Sequence, residues 1–451
     1  MNRFTLGHCL RNPIFARLYA AQTISLLGDA LTWVGLALLA FELAGQKSAI
    51  LLSTALTLRV TAFVLLSPLA GAIADRFDRK KIMVITHVVR MVIVGLLPFI
   101  TQIWQVYILI FALNVFNAFF TPTYQATIPL VTGQNDYPQA IALSTATYQL
   151  LGVLGPGFAG AVAALIGRRQ VFFLDALSFL IAAVLIFTLP GQLQVSQQAS
   201  NARGRTWRDV KDGTIRLFAS TSIRYALFMQ LVASIAGAQI LVNTVGYVQG
   251  TLRLGELEYG WVMAAFGIGA TVSAVSIGAI GQRFSKTSLV LFGSMMITIV
   301  LLPANRSNLP ILMILWLLAG VGQNCVNLPT QTLIADRIPT DAQGRVYGAH
   351  FAWSHLWWGI SYPLAGWLGS NFSEAKFFYG SLIGLTLLFI VQMTLRPRQH
   401  NHEHLHYPVS HEHEHIHDEH HQHEHLEAVF IGKPHTHVHQ HTDATKHIHR
   451  F

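Results

Sequence analysis

The stretch GAIADRFDRK, Gly71 to Lys80, returns 207 residues later as GAIGQRFSKT, Gly278 to Thr287, with five of ten positions identical. Each copy closes a long apolar run and opens a short basic segment. The same offset carries Asn117 and Pro122-Thr123 onto Asn324 and Pro329-Thr330, and Pro156 onto Pro363. Glycine and proline recur in membrane helices simply because such helices tolerate them. That tolerance does not account for several landmarks sharing one offset, so the chain reads as a parallel repeat about a central path.

Outward from this pair, apolar windows long enough to cross a bilayer, about 20 residues each, fall near 15–43, 48–72, 82–100, 103–129, 139–166 and 170–189, then 223–249, 258–280, 287–304, 309–334, 343–369 and 376–395. The expected fold is an all-α membrane protein of twelve transmembrane helices. A six-helix half over 1–189 is joined by a linker over 190–222, with a short surface helix, to a second six-helix half over 223–395. A polar tail over 396–451 follows. Of the 451 residues, 52% are hydrophobic and 11% charged, against about 25% charged in soluble domains, which excludes a soluble globule. The N-terminus runs into its first span without a clear cleavage motif and reads as an uncleaved signal.

Residues 1–395 hold 25 Lys and Arg against 13 Asp and Glu, while residues 396–451 hold 5 against 8. With a cytoplasmic N-terminus, 19 basic residues flank the spans on the inner side and six lie outside, Arg168 and Arg169 among the six. The positive-inside rule then puts both termini in the cytoplasm. Cys9 and Cys325 form neither a disulfide framework nor a zinc motif. The chain has no GxxxxGK[ST] phosphate loop, so ATP hydrolysis is unsupported. A transporter rather than an enzyme is expected, a monomer in a lipid bilayer with no nucleic-acid partner and no required cofactor.

GAIADRFDRKK resembles the signature loop of the major facilitator superfamily, matched here by Gly71, Asp75, Arg76, Arg79 and Lys80, with Asp78 where that motif usually has a second glycine. An acid at Asp75 can pair with a basic cluster or cap a helix end, a latch made in one conformation and broken in the other. Arg79, Lys80 and Lys81 serve as topology determinants. Gly152, Gly155, Pro156, Gly157 and Gly160 resemble the glycine-proline motif of exporters and antiporters, in which small residues let helices approach and proline permits a bend. With the tail included, the chain resembles bacterial nickel-resistance efflux proteins of the NrsD and NreB type. That resemblance implies export of Ni²⁺, with Co²⁺ second, from cytoplasm to periplasm by proton antiport, conferring metal resistance. The body is also similar to siderophore and drug exporters, and an organic substrate is the alternative; Trp33, Trp353, Trp357 and Trp358 would suit its aromatic cavity.

The tail holds 18 of the 22 histidines: His400, His402, His404 and His406; His411, His413, His415, His417, His420, His421, His423 and His425; His435, His437, His439 and His441; and His447 with His449. Neutral imidazole suits nickel, cobalt, zinc and cupric copper, and no thiolate or thioether is present to favour cuprous copper. The composition reads as disordered without metal. The tail is a cytoplasmic collector or sensor on one reading and a passive buffer on the other.

Ionisable side chains at membrane depth are functional candidates because leaving them in lipid is expensive. Asp29, mid-way along span one, is the first candidate to bind a cation or carry a coupling proton. Asp175 follows, with pairing to Arg168 or Arg169 as its structural alternative, and Glu42 is interfacial. Asn324, Asn327 and Gln331 share a helix face that lines the cavity or bridges helices, and Asn114 with Asn117 is its shorter counterpart. His350 and His355, five apart, diverge too far around a helix to chelate one ion; one is read as a ligand or proton relay and the other as a buried, hydrogen-bonded histidine. Arg59 and Arg90 lie in or beside spans and would pair with carboxylates.

Overall fold

The computed structural model describes residues 8–74, 77–191, 206–280 and 284–397, and in the tail 402–406, 410–415, 435–440 and 445–449. Met1–Arg396 form one compact unit and Pro397–Phe451 another.

The first unit is helical. Its elements are α1 (Pro13–Ala44), α2 (Ser48–Ala74), α3 (Arg79–Leu96), α4 (Ile103–Ile166), α5 (Val171–Phe187), α6 (Thr206–Ala219), α7 (Thr221–Val245), α8 (Glu256–Ile280), α9 (Lys286–Ile299), α10 (Leu309–Arg337), α11 (Thr340–Asn371) and α12 (Lys376–Leu395). At 64 residues, α4 would be roughly 95 Å long if straight. Gly133 (φ 69°, ψ 177°) leaves helical conformation inside it, in a region of backbone space that only glycine enters cheaply. Counted as two arms about Gly133, α4 supplies the fourth and fifth expected spans, and α6 is the short helix expected in the linker.

By length and hydropathy alone, eight helical stretches among the described residues could cross a membrane, nine with the bent pair Gln139–Gly152 and Leu154–Ile166. Helix breaks and polarity explain the shortfall from twelve. α1 and α2 run together as one 54-residue stretch, interrupted where Gly45 takes φ 53°. α5 is only 17 residues, and α11 carries His350, Ser354, His355 and Ser361 among its apolar residues.

Helix caps preserve the repeat. Asp78 caps α3 by accepting from the Lys80 amide at 3.0 Å, and Ser285, at the same offset of 207, caps α9 through the Ser288 amide at 3.1 Å. Asp78, in the place of a motif glycine, thus does the work of an N-cap. Beside it Arg79 donates to the Ala126 carbonyl and Lys80 to the Leu189 carbonyl, each at 2.6 Å. The two cations tie α3 to the first arm of α4 and to the residues just past α5. Asp75 and Arg76 lie outside the described residues, as do 192–205 of the linker.

In the second unit, backbone segments pair as two antiparallel ladders. His402–His406 pairs with Thr445–His449, and Ser410–His415 with His435–Gln440. The register sets His402 opposite His449, His404 opposite His447, and His411, His413 and His415 opposite His439, His437 and His435. These short ladders stand in a segment whose composition reads as disordered. His400, His417, His420, His421, His423, His425 and His441 lie outside the described residues.

Candidate functional site

Three helices each present a polar pair at spacing i, i+3, one face of a turn: Asp29 and Thr32 on α1, His87 and Arg90 on α3, Asp175 and Ser178 on α5. Arg90 Nη2 donates to Asp29 Oδ1 at 2.9 Å, with Arg90 1% and Asp29 21% exposed. The guanidinium lies 4.0 Å from the ring centre of Phe179 and 5.6 Å from that of Phe120, so aromatic faces share the charge. Asp175 is fully buried; it accepts from the Thr32 hydroxyl and, at 2.9 Å, from Ser178, within electrostatic reach of Asp29 and Arg90. His87 is buried against Phe120 and Phe179, and neither ring nitrogen has a hydrogen-bond partner among the described residues.

Close packing holds this group. A Cβ on Gly28 would stand 2.1 Å from Asp175 Oδ1 and from Ser178 Oγ, so α1 meets α5 at a glycine and the carboxyl sits against its backbone. The expected partners of Asp175 are corrected here. Arg168 pairs with Glu256 at 2.6 Å and Arg169 with Glu42 at 2.8 Å, while Asp175 lies deeper on hydroxyls. Arg169 also donates to the Pro98 and Ile100 carbonyls at 2.7 and 2.9 Å. Two cations on the side where the basic-residue rule disfavours them are thus matched by two acids and two carbonyls.

A second polar group lies between α2 and α11. Arg59, Val60, Phe63, Ser354, His355, Trp358 and Tyr362 line a cavity of about 180 Å³. The Arg59 guanidinium lies 4.5 Å over the Trp33 ring on α1, and Trp358 reaches Gly237 on α7, so the cavity is bordered by both repeats. His355 donates Nδ1–H to the Phe351 carbonyl at 2.8 Å, which leaves Nε2 as its acceptor. Among the described residues no carboxylate stands within ion-pairing distance of Arg59. The expected Arg–carboxylate pairing therefore holds for Arg90 and not for Arg59.

The remaining candidates separate. His350 donates to Gln230 Oε1 at 2.9 Å, and Asn327 accepts from Gln230 and Gln323 at 3.5 and 3.4 Å. Asn324 donates to the Ala270 carbonyl of α8 at 2.8 Å, whereas Gln331 is exposed and its carbonyl accepts from Tyr347 at 3.0 Å. Asn117 is half-buried, and Asn114 is fully buried and turned back on its own helix. The α10 stripe thus splits, with Asn324 and Asn327 bridging helices. Trp353 packs edge-on against Phe218 and Trp357 lies tilted against Phe228, rather than lining the α2–α11 cavity. Among the described residues no group of three or more His, Cys, Asp or Glu is arranged to hold a metal ion.

The glycine-proline segment lies at a crossing of the repeats. A Cβ on Gly160 would stand 2.4 Å from Gly260 Cα, one on Gly157 2.7 Å from Ala264 Cβ, and one on Gly155 2.7 Å from Ala30 Cβ. Gly366 on α11 has the same relation to Ser53 on α2, at 2.0 Å from its hydroxyl. These crossings and the Arg168–Glu256 pair join α2 and α4 to α11 and α8 at the end of the bundle that carries Gly45 and Gly167.

Residues 7–359 match the family described as transmembrane secretion effector. The MFS-type transporter YfiS of Bacillus subtilis is 27% identical over 351 residues, 74% of this chain and 81% of its own length. The multi-drug resistance efflux pump PmrA homolog of Lactococcus lactis is 22% identical over 348 residues, 75% of this chain and 82% of its own. Macrolide efflux protein A of Streptococcus pyogenes is 24% identical over 177 residues, 38% of this chain and 43% of its own. The nucleoside transporter NupG shares the fold at TM-score 0.69 and 13% identity, over 85% of this chain and all of that one. Fold, helix order and family match converge, and the chain belongs to the transmembrane secretion effector family of major facilitator superfamily transporters.

Proposed function

We propose that this transporter exports an organic molecule from the cytoplasm by proton antiport, the two repeats rocking about a central cavity. The observation that carries the reading is the division of charge. The mid-membrane acid Asp29 is already neutralised by Arg90, while the α2–α11 cavity is aromatic, cationic at Arg59 and lined by no carboxylate. A divalent metal needs hard or borderline anionic and neutral ligands gathered at one point, and that lining offers it a repelling charge. Relatives named for multidrug and macrolide efflux support an organic cargo. Asp29 and Asp175 are the proposed proton carriers, since the Asp29 carboxyl can take a proton when Arg90 moves away and the Asp175 carboxyl rests on hydroxyls rather than on a cation.

Export of Ni²⁺ or Co²⁺ rests on the tail. Its histidines suit a borderline divalent ion, and we assign them to metal binding on the cytoplasmic side, with both termini inside by the distribution of basic residues. A direct test uses proteoliposomes with an internal pH dye and an imposed proton gradient. Organic compounds from a multidrug panel are expected to drive proton movement in the wild type and not in Asp29→Asn. Proton movement driven by NiCl₂ and by no organic compound would return metal export to first place.

A further inference from the structure

Arg59 stands out in this membrane-depth cavity. It is a permanent cation stacked on Trp33 at 4.5 Å, with no carboxylate in ion-pairing distance among the described residues. Arg90, fully buried in α3, has its acid, whereas Arg59 is half-buried in α2. A charge at membrane depth is costly and is retained where it has a partner; for Arg59 the protein supplies a ring face and the cavity of about 180 Å³ instead. Around the guanidinium are Phe63, Trp358 and Tyr362 as apolar and aromatic walls, with His355 and Ser354 as polar groups. The Trp358 and Tyr362 rings are 5.4 Å apart at 35°, and His355 lies against Phe351 at 3.9 Å. Flat surfaces on several sides and one fixed cation form a recognition pattern in which a ring is enclosed and an anionic substituent is clamped by the planar fork of an arginine.

We infer that the cavity between α2 and α11 binds planar aromatic carboxylates or sulfonates, with Arg59, seated on Trp33, holding the anionic group and Phe63, Trp358 and Tyr362 holding the ring. This rests on the organic-exporter reading and sharpens it to a charge class. An organic cation, the opposite choice, would face Arg59 without a compensating acid. The geometry places the clamp at the contact of the two repeats, so an anion bound there touches α2 and α11 together.

The test uses 2-naphthoate, its neutral amide 2-naphthamide and the cation 2-naphthylmethylammonium, with the full-length protein in lipid nanodiscs. Affinity is read by calorimetry and export by counterflow in proteoliposomes. Naphthoate is expected to bind at least about tenfold more tightly than either analogue, the loss of one charged hydrogen-bonded pair. Arg59→Gln should remove that preference, and Arg59→Lys should restore part of it, since lysine keeps the charge and loses the fork. Thermal unfolding of each variant in the same nanodiscs separates misfolding from lost binding. Equal or tighter binding of the cation, or a preference unchanged in Arg59→Gln, overturns the anion assignment and leaves organic export standing. If none of the three probes binds, the anion assignment fails; if a wider organic panel also drives no proton movement, the export reading fails with it.

Discussion

At the scale of single residues, the Asp29–Arg90 pair decides how this bundle tolerates charge. Arg90 is 1% exposed, and its ring neighbours cannot replace a carboxylate. Breaking a buried pair from one side leaves the other charge uncompensated and costs about 3–5 kcal/mol. Arg90→Met is therefore expected to lower the unfolding temperature markedly, and the double variant Asp29→Asn with Arg90→Met to recover much of it. Thermal unfolding in one detergent checks both; a double variant as unstable as Arg90→Met would show that packing against Phe179, not charge, is what the arginine supplies. Asp29 was legible in the sequence because an acid in an apolar run is conspicuous. Its partner was not, since 61 residues separate them. A usable signal was present nonetheless in the i, i+3 pairs Asp29/Thr32, His87/Arg90 and Asp175/Ser178, three polar faces on three spans. His87 and Ser178 were missed because each, read alone, looks like an ordinary buried residue.

At the scale of elements, glycine sets the distance between α4 and α8. The Gly160 and Gly260 backbones meet so closely that a Cβ on the first would lie 2.4 Å from Gly260 Cα, and backbone cannot yield as a side-chain tip can. Gly160→Val is expected to push the helices apart at a cost of about 1–3 kcal/mol and to loosen the α4–α8 contact at this end. The check is alkylation of a cysteine placed at Glu256, which should react faster in the Gly160→Val background; an unchanged rate would mean the crossing does not govern access. Gly152, with nothing within 4 Å of an added Cβ, is the control, and Gly152→Ala should behave as wild type. Composition marked this segment as one where helices approach, yet it could not separate Gly160 from Gly152, because the distinction lies in the partner helix. Span ends were likewise readable to within a few residues, and the break at Gly133 falls in the gap expected between 103–129 and 139–166, where Thr132-Gly133-Gln134-Asn135-Asp136 between Pro129 and Pro138 carries turn chemistry.

At the scale of the whole molecule, the repeats are joined by contacts of two kinds. Helix crossings at glycines are fixed by shape. The Arg168–Glu256 pair, 36% and 14% exposed, adds little stability and is suited to being made and broken as the bundle rocks. Glu256→Gln should therefore leave the unfolding temperature within a degree or two while changing transport rate, and the exchange Arg168→Glu with Glu256→Arg should restore the rate. Failure of the exchange would assign the pair to topology alone.

The tail is a separate unit, and its chemistry is separable too. On the proposed assignment of the tail to metal binding, its eighteen histidines with interspersed acids would give many weak sites for a borderline divalent ion, and metal would compete with protons for each imidazole. Imidazole titrates near about 6.5, so it is the ligand form above that pH and the protonated, non-ligating form below it. Calorimetry with NiCl₂ is expected to show several ions bound to the full chain at pH 7.5, weaker binding at pH 5.5, and the loss of most binding in a chain ending at Arg398. If the body carries an organic anion, the shortened chain should still export 2-naphthoate at the wild-type rate, with Ni²⁺ affecting only the intact protein. A shortened chain that lost naphthoate export without any nickel present would instead make the tail part of the transport machinery.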